Sequence, residues 1–242
     1  MAALLVFVLL AAPALRLARR TTPAERAAAG FFLLTGLGFS LRMAAVRGGI
    51  PEGALATAVN TAGHAALSCA CVALFTFTRI VFRPTERWAA GLQRVGSVAA
   101  GLGFGALFLD GGTRREQAAS VLLVNALRTA SYAWCFAESL RYWRMMRRRV
   151  AMGLADATVA NRFGLWCTWT GALSASLGGV LITRLAGRAS GAGMELFPTF
   201  LAAAKGLVLV GMLVSGAAIW LSFFPPARYL DWVERRAEVR SD

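Results

Sequence analysis

The chain has 242 residues, of which 57% are hydrophobic and 16% charged, with a mean hydropathy of +0.59. Soluble domains carry about 25% charged residues, so a fold whose whole surface faces water is excluded, and the recurrent long apolar runs mark repeated membrane crossing. The net charge of +14 does not argue for nucleic acid, because basic loops are the ordinary signature of a membrane protein's cytoplasmic side.

In chain order, Ala2–Leu15 is an apolar run followed by Arg16, Arg19 and Arg20. A secretory signal places its positive charge before the apolar core, so this run is expected to be a short, uncleaved first span, 2–17. The further expected spans are 27–46, 54–78, 90–109, 118–140, 162–183 and 197–223, each near the roughly 20 residues a helix needs to cross hydrocarbon. The fourth carries Gln93, Arg94 and Ser97 near its start, and Gly96, Gly101, Gly103 and Gly105, small residues suited to close helix packing in lipid. The fifth is expected to continue as a helix past the membrane surface into RYWRMMRRR. Pro225 and Pro226 end the last span. Ala227–Val239 places Tyr229, Trp232 and Val233 on one side and charges on the other, as in an amphipathic helix lying on the inner surface. The expected fold is all-α: residues 1–224 form a polytopic bundle of seven transmembrane helices, and 225–242 a cytoplasmic amphipathic tail. No internal repeat or second domain is visible.

Loop charge orients the bundle. With the N-terminus outside and the C-terminus cytoplasmic, the inner segments hold Arg16, Arg19, Arg20, Arg26, Arg79, Arg83, Arg87, Arg94, Arg141, Arg144, Arg147, Arg148, Arg149, Arg162, Arg228, Arg235, Arg236 and Arg240, 18 in all. The outer segments hold five: Arg47, Arg114, Arg115, Arg184 and Arg188. Every inner loop exceeds every outer loop, as the positive-inside rule requires. The basic loop 141–149, with Tyr142 and Trp143, also suits anionic lipids or a cytoplasmic protein partner.

Charges inside spans are costly and mark function by default. Arg42, Arg128, Glu138 and Lys205 qualify, and His64, the single histidine, joins them. At 1.5 Å per residue, Arg42, Asn60, His64, Asn125, Arg128 and Lys205 share a slab from the midplane outward. Thr57, Thr61, His64, Ser68 and Cys71 form one helical stripe, and Asn125, Arg128, Tyr132, Cys135 and Ser139 another. Two stripes at matching depth imply a polar cavity lined by Arg42, Asn60, His64, Asn125, Arg128 and Lys205. Buried cations need partners: an anionic ligand, or Glu52, Glu116 or Glu195 folding in from the outer loops. Glu138 lies closer to the cytoplasmic end, within reach of Arg141 or Arg79.

The lone lysine of the seventh span, in LAAAKGLVLVG, resembles the retinal-bearing lysine of microbial rhodopsins. That resemblance implies retinal on Lys205 and a carboxylate counterion in the third helix, where this chain has His64; Trp166 and Trp169 are then candidates to sandwich the polyene. Haem at His64 needs a second axial ligand, for which Met43 or Met212 is available. The cysteines Cys69, Cys71, Cys135 and Cys167 permit a soft-metal site, although small buried cysteines also serve simply as packing. Neither a resident cofactor nor a metal is expected. No HExxH, GxSxG or P-loop spacing occurs, so no catalysis is expected from the motifs present.

The segments FRPTERWA, ESLRYWR, GLADATVANRFGLW and SFFPPARYL resemble a bacterial family of seven-span membrane proteins to which no activity is assigned. The resemblance implies the architecture and the bacterial cytoplasmic (inner) membrane, and no site. The expected function is a receptor-like or accessory membrane protein. It binds a small polar or anionic ligand, or a lipid headgroup, in the outer-half cationic cavity, and couples to a cytoplasmic or membrane protein partner. The alternatives are a small-solute or ion transporter or channel, with a polar path through Tyr132, Glu138 and Ser139, and a retinal protein.

Overall fold

The computed structural model describes residues 10–17, 22–47, 53–109, 119–189 and 197–238, with side chains described except at 46–47, 188–189, 197–205 and 237–238. Every regular element among them is α-helical. Residues 10–17 form α1. The others are α2 (Pro23–Arg47), α3 (Ala54–Phe82), α4 (Arg87–Leu109), α5 (Ala119–Ala151), α6 (Ala157–Ala189), α7 (Phe197–Phe223) and α8 (Ala227–Glu238). Among the described residues, five stretches are long and apolar enough to cross a membrane: Pro23–Ala45, Ala54–Phe82, Arg87–Leu109, Ala157–Gly187 and Gly206–Phe223. Each overlaps an expected span. All but the first residue of the expected fifth span lies within α5, where Asn125, Arg128 and Glu138 interrupt the apolar run; half of the expected first span, residues 2–9, falls outside the described residues.

Helix ends follow local chemistry. Thr22 Oγ1 accepts the Glu25 backbone N–H at 3.3 Å and meets its carboxylate at 2.7 Å, while Pro23 takes the first helical position, where no N–H is needed. Pro84 stops α3, and the turn to α4 carries an Arg83–Glu86 ion pair at 3.8 Å. After α5, Gly153 adopts φ +68°. Its N–H reaches Val150 O at 3.0 Å and the Leu154 N–H reaches Arg149 O at 2.8 Å, the paired closure that a left-handed glycine allows. Asp156 then caps α6 through the Thr158 N–H at 2.6 Å.

The described residues fall into two compact units. One is drawn from Met1–Ser131 and Leu181–Glu195, the other from Tyr132–Val180 and Leu196–Asp242. In the first, α2 and α3 form a tight antiparallel hairpin whose backbones approach at Gly38 and Gly63. A Cβ on either glycine would lie 2.9 Å from the other's carbonyl oxygen, the small-residue contact that lipid-embedded helices use. Gln93 of α4 bonds to Thr76 and Arg79 of α3, at 3.4 and 3.3 Å. Of the α4 glycines, Gly96 packs on Phe75 and Gly103 on Val124, while Gly101 and Gly105 meet nothing.

In the second unit, Gly211 of α7 admits Ser176 of α6, whose hydroxyl donates to Leu207 O at 3.1 Å. Ser215 donates to Trp169 O at 3.1 Å. The α7 helix ends before Pro225 and Pro226, as expected, and α8 docks on α6 through Asn161 and Tyr229, which exchange hydrogen bonds of 2.9 and 3.1 Å.

Candidate functional site

The polar stripe read along α3 is largely buried: His64, Ser68 and Cys71 all lie inside. Facing it, α5 buries Arg128 and Ser131. Arg128 Nη2 lies 3.3 Å from His64 Nδ1 and 3.5 Å from the His64 carbonyl oxygen. Seven residues along α3 and three along α5, the Ser131 hydroxyl reaches the Cys71 sulfur at 3.8 Å. The two helices thus meet at His64–Arg128 and again at Cys71–Ser131, and Ser131 stands outside the expected α5 stripe.

A guanidinium can only donate. The contact with Arg128 therefore requires Nδ1 of His64 to accept, which leaves the imidazole proton on Nε2. Arg128 and the histidine are 6% and 5% exposed, so this geometry is set by packing rather than by water.

One turn earlier on α3, Asn60 Oδ1 accepts from Arg42 Nε at 3.4 Å. The Arg42 stem crosses Gly63 so closely that a Cβ there would sit 2.6 Å from Arg42 Cγ. Glycine at the position before His64 is thus what lets a long cationic side chain lie against α3. Arg42, Asn60, His64 and Arg128 come together on α2, α3 and α5 within one unit. Arg184, on α6, belongs to the same unit. Sequence reasoning ended the sixth span at 183 and assigned Arg184 to an outer segment, whereas the helix continues through it to Ala189.

The remaining expected residues stand differently. Asn125 lies one turn before Arg128, and its carbonyl accepts from Thr129 at 2.9 Å. Lys205 is in α7, with its side chain outside the described residues, as are Glu52, Glu116 and Glu195. Tyr132, Glu138 and Ser139 are all buried along α5, and Glu138 pairs with Arg141 at 3.8 Å. Trp166 and Trp169 pack edge to face with ring centroids 5.3 Å apart, and Trp169 also meets Tyr132 at 6.1 Å. The indoles thus fill the space between them. Cys71, Cys135 and Cys167 are buried and Cys69 is exposed. Among the described residues no three His, Cys, Asp or Glu side chains converge as a metal site would need.

Chemically, this is a donor-rich centre. Arg42 and Arg128 carry N–H groups and positive charge, and His64 presents an Nε2–H. The acceptors of Asn60 and His64 already engage Arg42 and Arg128. Comparison with known protein families, with curated proteins and with solved structures finds no match for this chain.

Proposed function

We propose that this chain is a receptor-like or accessory protein of a bacterial cytoplasmic membrane, which binds a small anionic or polar ligand at the Arg42–Asn60–His64–Arg128 centre. The observation that carries the reading is the buried Arg128 guanidinium, held against both the ring and the carbonyl of His64. Ionisable groups at this position in an apolar bundle are costly and are kept for a role. Donors converging from three helices form the preorganised environment that an anion or a phosphate headgroup takes in place of its water. Seven spans with the C-terminus cytoplasmic, supported by the arginine asymmetry, put this centre in the outer half of the membrane. The basic end of α5 and the amphipathic α8 then form the face for a cytoplasmic partner.

The test is thermal unfolding of the purified chain in neutral detergent with inorganic phosphate, acetate or glycerol 3-phosphate, against glycerol as the neutral control. At least one anion raises the melting temperature in a dose-dependent way, and Arg42→Gln and Arg128→Gln each remove that response. No response in the wild type, or one that survives both substitutions, ends the reading.

A second reading, transport of a small solute or ion, is favoured by the burial of Tyr132, Glu138 and Ser139 along α5 beyond Arg128. Flux through reconstituted liposomes, absent in Glu138→Gln, separates it from a receptor.

A further inference from the structure

The last turns of α5, the first turns of α6 and the helix α8 enclose a groove of about 570 Å³. It is built on residues other than the Arg42–His64–Arg128 centre and does not rest on that reading. Two arginines one turn from a tryptophan line it. Arg147 stacks over Trp143 at 5.1 Å, and Arg236 over Trp232 at 4.9 Å. Among the described residues, neither guanidinium has a carboxylate partner.

The groove is preformed. The Asn161–Tyr229 exchange pins α8 to α6. Gly164 lets the Trp143 indole lie against α6, where a Cβ would come within 2.9 Å of Nε1. Between the two arginines the lining is apolar, with Val150, Ala157, Ala160 and Val233. The adjoining turn exposes Met152 and Leu154, at 61% and 71%, beside the basic run of α5. A helix of 33 residues is about 50 Å long against roughly 30 Å of hydrocarbon, so this end of α5 reaches the headgroup region or beyond.

We propose that the groove binds an anionic phospholipid, its phosphate held between Arg147 and Arg236 and its upper acyl and glycerol portion on the apolar lining. Guanidinium groups recognise phosphate oxygens through paired charge-assisted hydrogen bonds. A zwitterionic headgroup adds an ammonium that meets two like charges, and each indole already carries a guanidinium, so the aromatic faces do not compensate. The apolar lining and the exposed Met152 and Leu154 select a lipid over free phosphate.

The experiment is native mass spectrometry of the full chain in neutral detergent doped with phosphatidylglycerol or phosphatidylcholine, with inorganic phosphate as competitor. The wild type retains phosphatidylglycerol preferentially. At about fivefold per arginine, the double variant Arg147→Gln/Arg236→Gln weakens retention about twenty-fivefold. The charge-matched Arg148→Gln/Arg149→Gln, outside the groove, weakens it by less than about threefold. Arg236→Gln alone, on the exposed face of α8, gives the same test at about fivefold should the double variant fail to fold. Equal losses in the two double variants, no preference for phosphatidylglycerol, unchanged retention in Arg236→Gln, or displacement of the lipid by millimolar phosphate each overturn the proposal.

Discussion

A guanidinium enclosed among apolar helices must find acceptors, and Arg128 takes two from one residue, the Nδ1 and the carbonyl oxygen of His64. The pair predicts energetic coupling. In a double-mutant cycle with Arg128→Ala and His64→Ala, unfolding in mixed detergent should give a coupling energy of about 0.6 to 1.7 kcal/mol; additive effects would contradict the contact. Gly63 predicts a second effect, because the space it leaves is occupied by Arg42. Gly63→Ala should cost about 1–3 kcal/mol by overpacking, whereas Gly101→Ala, with nothing within 4 Å, should be neutral or slightly stabilising through helix propensity. Arg42, His64 and Arg128 were legible in the sequence because a charge or imidazole inside a long apolar run stands out. Asn60 was legible as a member of the same cavity, but which residue pairs with which was not. Asn60 is 18 residues from Arg42, and only the close approach of α2 and α3 at Gly38 and Gly63 determines that the two meet.

At the scale of elements, apolar runs and prolines located the helices, and the continuation of α5 into RYWRMMRRR was legible, whereas α6 begins and ends beyond the expected 162–183. The α5 helix runs 33 residues, because the arginine, methionine and alanine that follow its apolar run are good helix formers and nothing stops the chain before Gly153; α6 is equally long. The sequence also showed the apolar side of α8 but not its partner. The structure supplies it: Tyr229 and Asn161 satisfy each other, at about 1 kcal/mol for such a bond. Tyr229→Phe should therefore loosen α8 rather than unfold the chain. Hydrogen exchange should rise several-fold across Ala227–Glu238 and stay unchanged in α3; equal exchange in α8 would contradict the pinning role. Among the α4 glycines, the sequence suggested close packing for all alike, and the structure divides them. Gly96 and Gly103 face Phe75 and Val124, and the others open outward.

Across the whole molecule, the apolar surface is the strongest sign of its solvent. Val95, Leu102 and Phe108 of α4, and Leu209 and Leu213 of α7, are more exposed than buried, and in water such surfaces drive aggregation. In a bilayer they meet acyl chains, and the polar groups that remain inside are the ones that need explanation. Among the described residues five helices are long and apolar enough to cross; the proposed bundle adds the first span and α5, whose polar stripe is what lowers its hydropathy. The account therefore rests on α5 crossing the membrane, with the loop before it outside and the turn after it inside. Cysteine labelling in intact cells tests this most directly, in a chain whose four native cysteines are replaced by alanine. Gly112→Cys should react with a membrane-impermeant maleimide before permeabilisation, and Leu154→Cys only after it. Reaction of both, or of neither, in intact cells would put the two ends of α5 on one side of the membrane and contradict the account.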